Sequence, residues 1–280
     1  MSLKPKTKPV GRERGKDFSG IAKRIKPVEK IKKPMRVALY GRAGSGKTTL
    51  AASFPKPLLL DVNGEEGTDS VSDVKGLQVL PVKTWEDFEQ LYWYLEDGDH
   101  DFETVIVDTV TNLQELAIKE VAAANRKKAK GDDGGWGTMT KQMWGEVSSM
   151  LKTWITSYRN LEGLNVVFLA QERLFNAGDE SESDDGQIAP EVGPRMMPSV
   201  GSTLNAAVDL VGHCFIREDH KRKKDKNGKV KEVRTTQYCL RIGPHAYYTT
   251  KIRKPRDSEV PSFLVDASYE DLVELKTGEK

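Results

Sequence analysis

From residue 35 onward, the hydrophobic pattern alternates between strand-length apolar runs and segments with helical spacing. Five runs are short, continuous and rich in Val, Leu and Ile, as is typical of buried strands; they are residues 35–40, 57–62, 77–82, 102–110 and 164–171. Apolar residues recur at helical spacing in residues 84–98, 113–128 and 141–161. This alternation predicts an α/β domain, with a mostly parallel sheet flanked by helices.

A β-hairpin is predicted towards the C-terminus. Residues 208–219 and 233–243 have strand character and flank a basic stretch with Asn-Gly at 227–228, a pair that favours a tight turn. Pairing residue 226 with residue 229 would place Ile216 opposite Cys239. Two other segments, 130–140 and 176–202, are polar and rich in glycine. We expect them to be loops, and loops this long are usually functional or disordered.

The charge of the chain is unevenly distributed. The net charge is +2, but residues 1–34 hold twelve Lys or Arg against three acids, so they carry +9 and the remainder carries −7. We interpret residues 1–34 as a basic, flexible arm and residues 35–280 as one folded domain. The arm suits an anionic partner such as nucleic acid, although it could equally serve solubility. The chain has no apolar run near the roughly 18 residues of a membrane span and no signal peptide, which predicts an intracellular protein without a membrane partner.

The segment GRAGSGKT fits the pattern G-x-x-x-x-G-K-[ST], and it has the required strand before it and helix after it. Glycines in such a loop let successive backbone N–H groups turn inward around phosphates. The predicted nucleotide-binding residues are Gly41, Arg42, Ala43, Gly44, Ser45, Gly46, Lys47, Thr48 and Thr49. Lys47 would bridge the β- and γ-phosphates of ATP, and the Thr48 hydroxyl would hold Mg²⁺. The alternative is a glycine turn without function.

Acidic and amide side chains follow three of the predicted strands. Asp108 ends the run TVIVD and is a candidate to reach the metal through water. Glu65 or Glu66, after the strand at 57–62, could polarise the attacking water, and the pattern does not choose between them. Gln171 could sense the γ-phosphate through its amide, or it could be an ordinary turn residue. The predicted cofactors are therefore ATP and Mg²⁺.

Several classes of phosphate-loop protein remain to be separated. Residues 61–64 read D-x-x-G, but no N-K-x-D sequence for guanine recognition occurs, which disfavours a GTPase. A small-molecule kinase would need an acceptor site and a basic lid, and the basic hairpin could be mistaken for such a lid. A regulatory nucleotide-binding module without DNA activity is a further alternative.

Taken in order, these motifs resemble a RecA-like core. More closely, FPKPLLLDVNGEEGTDSV, TWEDFEQL, FETVIVDTVTNLQEL and LNVVFLAQE are similar to phage nucleotide-binding ATPases built from such a core, an AAA-type P-loop NTPase family with relatives among single-strand annealing recombinases. The resemblance covers residues 34–265. It implies a RecA-like P-loop NTPase fold and an ATPase that acts on single-stranded DNA in recombination or annealing, in the cytoplasm of a bacterial host.

The resemblance also implies which residues contact DNA. Gln171 would couple the nucleotide state to the loop at 176–202, which occupies the place of a DNA-binding loop, and residues 130–140 could match a smaller one. The predicted DNA contacts are Lys130, Arg195, Lys221, Lys223 and Lys224. Because the centre of the long loop is acidic, the N-terminal arm and the hairpin lysines are better electrostatic candidates. A solvated hairpin is the alternative for those lysines.

Lys251 and Arg253 stand two apart near the end of the domain, where a strand would aim both at one face. The resemblance implies that this pair reaches the γ-phosphate of a neighbouring protomer. A solvated, charged sheet edge is the alternative. The implied partners are further copies of this chain in a homo-oligomer, single-stranded DNA, and a single-strand DNA-binding protein.

Overall fold

The computed structural model describes residues 19–25, 34–64, 67–128, 139–175, 191–224, 230–255 and 259–278. The chain divides into two units, residues 1–33 and residues 34–280. In the first unit the structure describes one short helix, α1 (Ser19–Arg24). Of the helices that the structure describes, none combines the length and the apolar character needed to cross a bilayer.

The second unit is a ten-stranded mixed sheet flanked by helices. Its strands are β1 (Arg36–Gly41), β2 (Pro57–Val62), β3 (Gln78–Val82), β4 (Thr104–Asp108), β5 (Asn165–Phe175), β6 (Glu191–Pro194), β7 (Leu210–Lys224), β8 (Val230–Arg241), β9 (Lys251–Ile252) and β10 (Leu264–Val265). Its helices are α2 (Lys47–Ala52), α3 (Trp85–Asp97), α4 (Val110–Lys128), α5 (Lys141–Asn160), α6 (Pro198–Ala207) and α7 (Tyr269–Thr277).

The strand order is β10-β8-β7-β1-β5-β4-β2-β3, with β6 paired to β5 and β9 to β7. The six strands from β7 to β3 in this order are parallel, so their carboxyl ends meet at one edge. Gly41 pairs with Gln171, and Asp61 pairs with Asp108. The topology alone therefore collects the phosphate loop and three polar side chains at one edge of the sheet.

The sheet has an apolar core on each face, because successive side chains of a strand point to opposite sides. On one face, residues such as Tyr40, Leu60 and Val107 pack with helices α3, α4, α5 and α6. On the other, Leu39, Leu59 and Ile106 pack with α2 and α7. The long buried runs seen in the sequence arise from this covering of both faces.

The predicted α/β class is confirmed, with its mostly parallel sheet, flanking helices and C-terminal antiparallel hairpin. Thr84 caps α3 as part of a capping box, in which Thr84 Oγ1 accepts from the backbone N–H of Asp87. The prediction of a loop at 176–202 was wrong for residues 191–194 and 198–202, which belong to β6 and α6. Residues 176–190 and 130–138 lie outside the described residues.

The predicted hairpin register was wrong by one residue. Cys239 pairs with Phe215, and Ile216 pairs with Tyr238. A shift of one residue moves every side chain of a strand to the other face of the sheet. As a result, Tyr238 and Leu240 project to the same side as Cys214, towards helix α2.

Candidate nucleotide-binding site

The phosphate loop joins β1 to α2 in the conformation that its glycines permit. Gly44 and Gly46 have φ of 73° and 83°, in the left-handed region that glycine adopts at low cost. A Cβ on Gly41 would lie 2.2 Å from the carbonyl oxygen of Cys214. The loop therefore needs glycine at both glycine positions of the sequence motif, Gly41 and Gly46, and also at Gly44, each for a local steric reason.

The side chains after the loop converge on the end of strand β4. Thr48 Oγ1 donates a hydrogen bond of 2.8 Å to Asp108 Oδ2. The ammonium group of Lys47 is buried and donates to the carbonyl oxygens of Gly41 and Arg42, at 3.1 and 2.8 Å. A hydroxyl and a carboxylate in contact are the oxygen donors expected of a Mg²⁺ site that shares its ion with phosphates.

The cavity around these residues fits a nucleoside triphosphate. Its volume is about 710 Å³, within the range of small-molecule sites. Ser45 Oγ is buried in the loop, and no described residue offers it a hydrogen bond. A buried hydroxyl without a protein partner is costly, so its presence inside a phosphate loop indicates that a ligand oxygen completes its hydrogen bonding.

Gln171 lies at the end of the sheet beside the cavity and is tied to two other segments. Its backbone N–H donates to Thr111 Oγ1 at 3.1 Å, and that hydroxyl donates to the carbonyl oxygen of Arg195 at 3.1 Å. Arg195 in turn donates from its backbone N–H to the Gln171 carbonyl oxygen at 2.7 Å, and from its guanidinium to the Gln171 side-chain oxygen at 3.2 Å. Arg195, predicted as a DNA contact, thus lies against Gln171 just after strand β6.

Asp61 is an acidic residue of the cavity that our sequence-based site prediction did not include. It is the penultimate residue of β2, pairs with Asp108 and lines the cavity. The two glutamates proposed as general base, Glu65 and Glu66, lie outside the described residues. A carboxylate in register with the predicted metal-binding Asp108 could have been found by aligning the ends of the two strands.

A hydrogen-bonded chain leads from the phosphate loop into the sheet. Arg42 Nε donates to Glu172 Oε1 at 2.8 Å, and the other carboxylate oxygen lies 3.1 Å from His213 Nε2. Arg241 Nη1 lies 3.0 Å from His213 Nδ1, so Nδ1 accepts and the ring carries its proton on Nε2. Burial lowers the pKa of His213, and the charge of Arg241 lowers it further, against the opposing effect of Glu172.

Lys251 and Arg253 lie at the opposite edge of the sheet. β9 pairs with the first residues of β7, which are the amino ends of the parallel strands. Lys251 Nζ donates to the carbonyl oxygens of Asn205 and Val208, at 2.5 and 2.8 Å, and Arg253 donates to that of Ala206 at 2.8 Å. Within one protomer the pair therefore caps the C-terminus of α6 and is separated from the phosphate loop by the length of β1.

The structure places the remaining predicted DNA contacts only in part. Lys221, Lys223 and Lys224 belong to strand β7, and their backbones pair with β8. Their side chains, like Lys130, lie outside what the structure describes. The hairpin itself extends beyond the carboxyl ends of the parallel strands, which is the end of the sheet where the phosphate loop lies.

Comparison with known proteins identifies the family to which the chain belongs. Residues 33–254 match a family described as an AAA domain. No curated protein matches the chain. Among solved structures, the chain is similar to the crystal structure of the flagellar accessory protein FlaH from Methanocaldococcus jannaschii. The match covers 84% of this chain and 90% of that chain, with 8% sequence identity and a TM-score of 0.34. Because the family match spans most of the chain and includes the phosphate loop, Asp108 and Gln171, the protein belongs to the AAA domain family and is a P-loop ATPase.

Proposed function

We propose that this ATPase hydrolyses ATP in a Mg²⁺-dependent reaction, and that a homo-oligomer uses the reaction to act on single-stranded DNA in recombination or annealing in a phage or prophage. The observation that carries the proposal is the convergence of Thr48, Asp108 and Gln171 at one end of the cavity. A metal-binding pair beside an amide that can contact the γ-phosphate is what coupled hydrolysis requires.

Each group of the site has a chemical role in this proposal. Lys47 neutralises the charge that develops on the terminal phosphates, and the loop N–H groups hold the phosphate chain in place. Thr48 and Asp108 would hold Mg²⁺, which would supply positive charge against the charge that develops on the phosphates. Asp61, or one of the glutamates just beyond it, accepts the proton of the attacking water.

The link from nucleotide to DNA runs through Gln171. Its side-chain oxygen accepts from Arg195, and Arg195 follows strand β6, which returns from residues 176–190. If Gln171 turns its amide to the γ-phosphate, its side-chain contact with Arg195 is lost and the Arg195 guanidinium is freed, while the backbone bonds that join Arg195 and β6 to β5 remain. The charge of +9 on residues 1–34 and the basic hairpin supply the attraction to DNA phosphates.

ATP hydrolysis measured with and without single-stranded DNA tests the proposal. Lys47→Ala should abolish turnover, while Lys75→Ala, an exposed lysine outside the cavity, should leave it unchanged. Binding to single-stranded DNA should weaken steeply as salt rises. A protein that binds no DNA at low salt with ATP and Mg²⁺ present would refute the DNA role. Phosphorylation of an added small acceptor would then indicate a kinase, and release of only phosphate or of nothing would indicate a regulatory module.

A mixing experiment tests the trans-acting role that we propose for Lys251 and Arg253. An Arg253→Ala protomer keeps an intact phosphate loop, and a Lys47→Ala protomer keeps an intact Arg253. If Arg253 acts on the neighbour's nucleotide, each variant alone should be inactive, and the mixture should recover part of the activity. Full activity of Arg253→Ala alone would show that the pair serves only to cap α6.

A further inference from the structure

The nucleotide cavity extends past the phosphate loop to strand β8. Beyond the loop, its wall is formed by Tyr238, Cys239 and Leu240 of β8 and by the following residues Asp266 and Ala267. The strand order places β7 and β8 on one side of β1, and places β5 and β4, with Asp108, on the other. A nucleotide with its terminal phosphate near Asp108 and its phosphate chain in the loop therefore directs its base towards β8.

The ring of Tyr238 lies directly against the phosphate loop. A Cβ built on Gly46 would lie 3.0 Å from Tyr238 Cδ1 and 3.4 Å from Cγ. Tyr238 pairs with Ile216, three residues beyond the pairing of Tyr40 with His213, so it stands above the carboxyl edge of β1. Tyr238 remains 46% exposed although its ring packs on the loop, and the residue lines the cavity.

Asp266 is fixed beside this ring by two hydrogen bonds. Its backbone N–H donates to the Tyr238 carbonyl oxygen at 2.7 Å, and its Oδ1 accepts from the Tyr238 N–H at 3.3 Å. Asp266 has φ of 48°, the left-handed conformation, where the chain leaves β10. An aromatic ring and a carboxylate are thus held next to each other at the end of the cavity away from the metal-binding pair.

We propose that Tyr238 stacks on the base of the bound nucleotide and that the Asp266 carboxylate accepts a hydrogen bond from the base's exocyclic amino group. The proposal rests on nucleotide binding at the phosphate loop. Stacking alone tolerates any base, since every base has a π face. The carboxylate adds a preference for a base with an exocyclic amino group, such as adenine, because the carboxylate can accept that group's N–H in addition to the bond from the Tyr238 N–H.

Equilibrium binding of ATP and of inorganic tripolyphosphate, each with Mg²⁺, tests the stacking. Tyr238→Ala should raise the dissociation constant of ATP about 5- to 100-fold and leave that of tripolyphosphate unchanged. Tyr238→Phe should bind ATP within about threefold of wild type, because the ring remains. Tyr94→Ala is the matched control, since Tyr94 is 47% exposed on α3 and does not line the cavity.

The outcomes of this experiment are distinct. Unchanged ATP binding by Tyr238→Ala, or a change only in its oligomeric size, would overturn the proposal. Equal weakening of ATP and tripolyphosphate would also overturn it, because Tyr238 would then merely support the loop backbone at Gly46. Wild-type protein that binds neither ligand would instead refute the nucleotide site itself.

The role of Asp266 is tested by pairing a variant with a ligand that lacks the amino group. Asp266→Ala should weaken ATP binding about tenfold and should leave the binding of purine riboside triphosphate unchanged. This pairing separates the contact with the base from the support that Asp266 gives to Tyr238. Equal losses for both nucleotides would show that Asp266 acts only through the position of the ring.

Discussion

The effect of one small substitution on stability, Thr111→Val, can be derived directly from the structure. Its side chain is only 6% exposed, and its hydroxyl accepts from the Gln171 N–H and donates to the Arg195 carbonyl oxygen. Thr111→Val keeps nearly the same shape and removes both hydrogen bonds. The substitution therefore perturbs the connection between Gln171 and Arg195 without opening a cavity in the core.

The expected loss of stability follows from the two backbone groups that lose a hydrogen-bond partner, the Gln171 N–H and the Arg195 carbonyl oxygen. A buried donor or acceptor left unsatisfied costs about 1–3 kcal/mol. Both hydrogen bonds here are only partly buried, so each loss belongs at the low end of that range. Together they predict that Thr111→Val lowers the free energy of unfolding by about 2 kcal/mol.

Urea denaturation followed by tryptophan fluorescence measures this difference, as a lower midpoint at an unchanged slope. Thr153→Val is the matched control, because Thr153 is exposed and, among the residues that the structure describes, its Oγ1 bonds only to the Ser149 carbonyl oxygen of its own helix. The control should stay within about 0.5 kcal/mol of wild type. If Thr111→Val is no less stable than Thr153→Val, the bridge between Gln171 and Arg195 carries no stability, and our account of it is wrong.

Three further substitutions test other parts of the structure. Asp108→Asn should lower the turnover of ATP by at least about 100-fold at any Mg²⁺ concentration, measured as phosphate release; full turnover would remove Asp108 from the metal site. The lowered pKa of His213 means that the unfolded chain takes up its proton first, so stability is complete above about pH 6.5 and declines as the pH falls through that value. His213→Gln should flatten this part of the curve in urea denaturation from pH 5 to 8, and parallel curves would contradict the assignment. Asp209→Asn should lower the free energy of unfolding by about 2 kcal/mol at pH 7, because Asp209 accepts a hydrogen bond of 2.9 Å from Lys276. Burial acts to raise the pKa of Asp209, but the hydrogen bond from Lys276 lowers it, and the net shift is downward. The difference in stability from wild type should therefore vanish once acid protonates Asp209.

The parallel strands and the phosphate loop could be predicted because their signals are local. Each buried strand is a continuous apolar run, and the spacing from Gly41 to Thr48 follows from the steric needs of one turn. The topology then brings Asp108 and Gln171 to the same edge without further information. Elements were predicted correctly where one or both of their faces are apolar. Side chains were placed correctly where their position follows from the strand that carries them.

The parts that could not be predicted depend on polar strands. Strand β5 continues past Gln171 to Phe175, beyond the apolar run, and pairs there with β6. That pairing, and not any local pattern, brings Arg195 back to Gln171. The hairpin register failed for a related reason: residues 221–224 are all Lys or Arg, so the sequence there has no alternation that would distinguish one register from a shift of one residue. Tyr238 could not be assigned to the cavity until that register was known.

The two edges of the sheet also decide how Lys251 and Arg253 can act. Within a protomer they lie at the amino edge, and β1 separates them from the phosphate loop by four residues, or about 13 Å. Their own nucleotide is therefore out of reach, and any catalytic role requires a second protomer. That protomer must present its carboxyl edge to this amino edge, either head to tail or in a twofold pair in which each protomer serves the other. A protein that stays monomeric under the conditions of the assay would therefore refute the trans-acting role of Arg253 independently of any mutant activity.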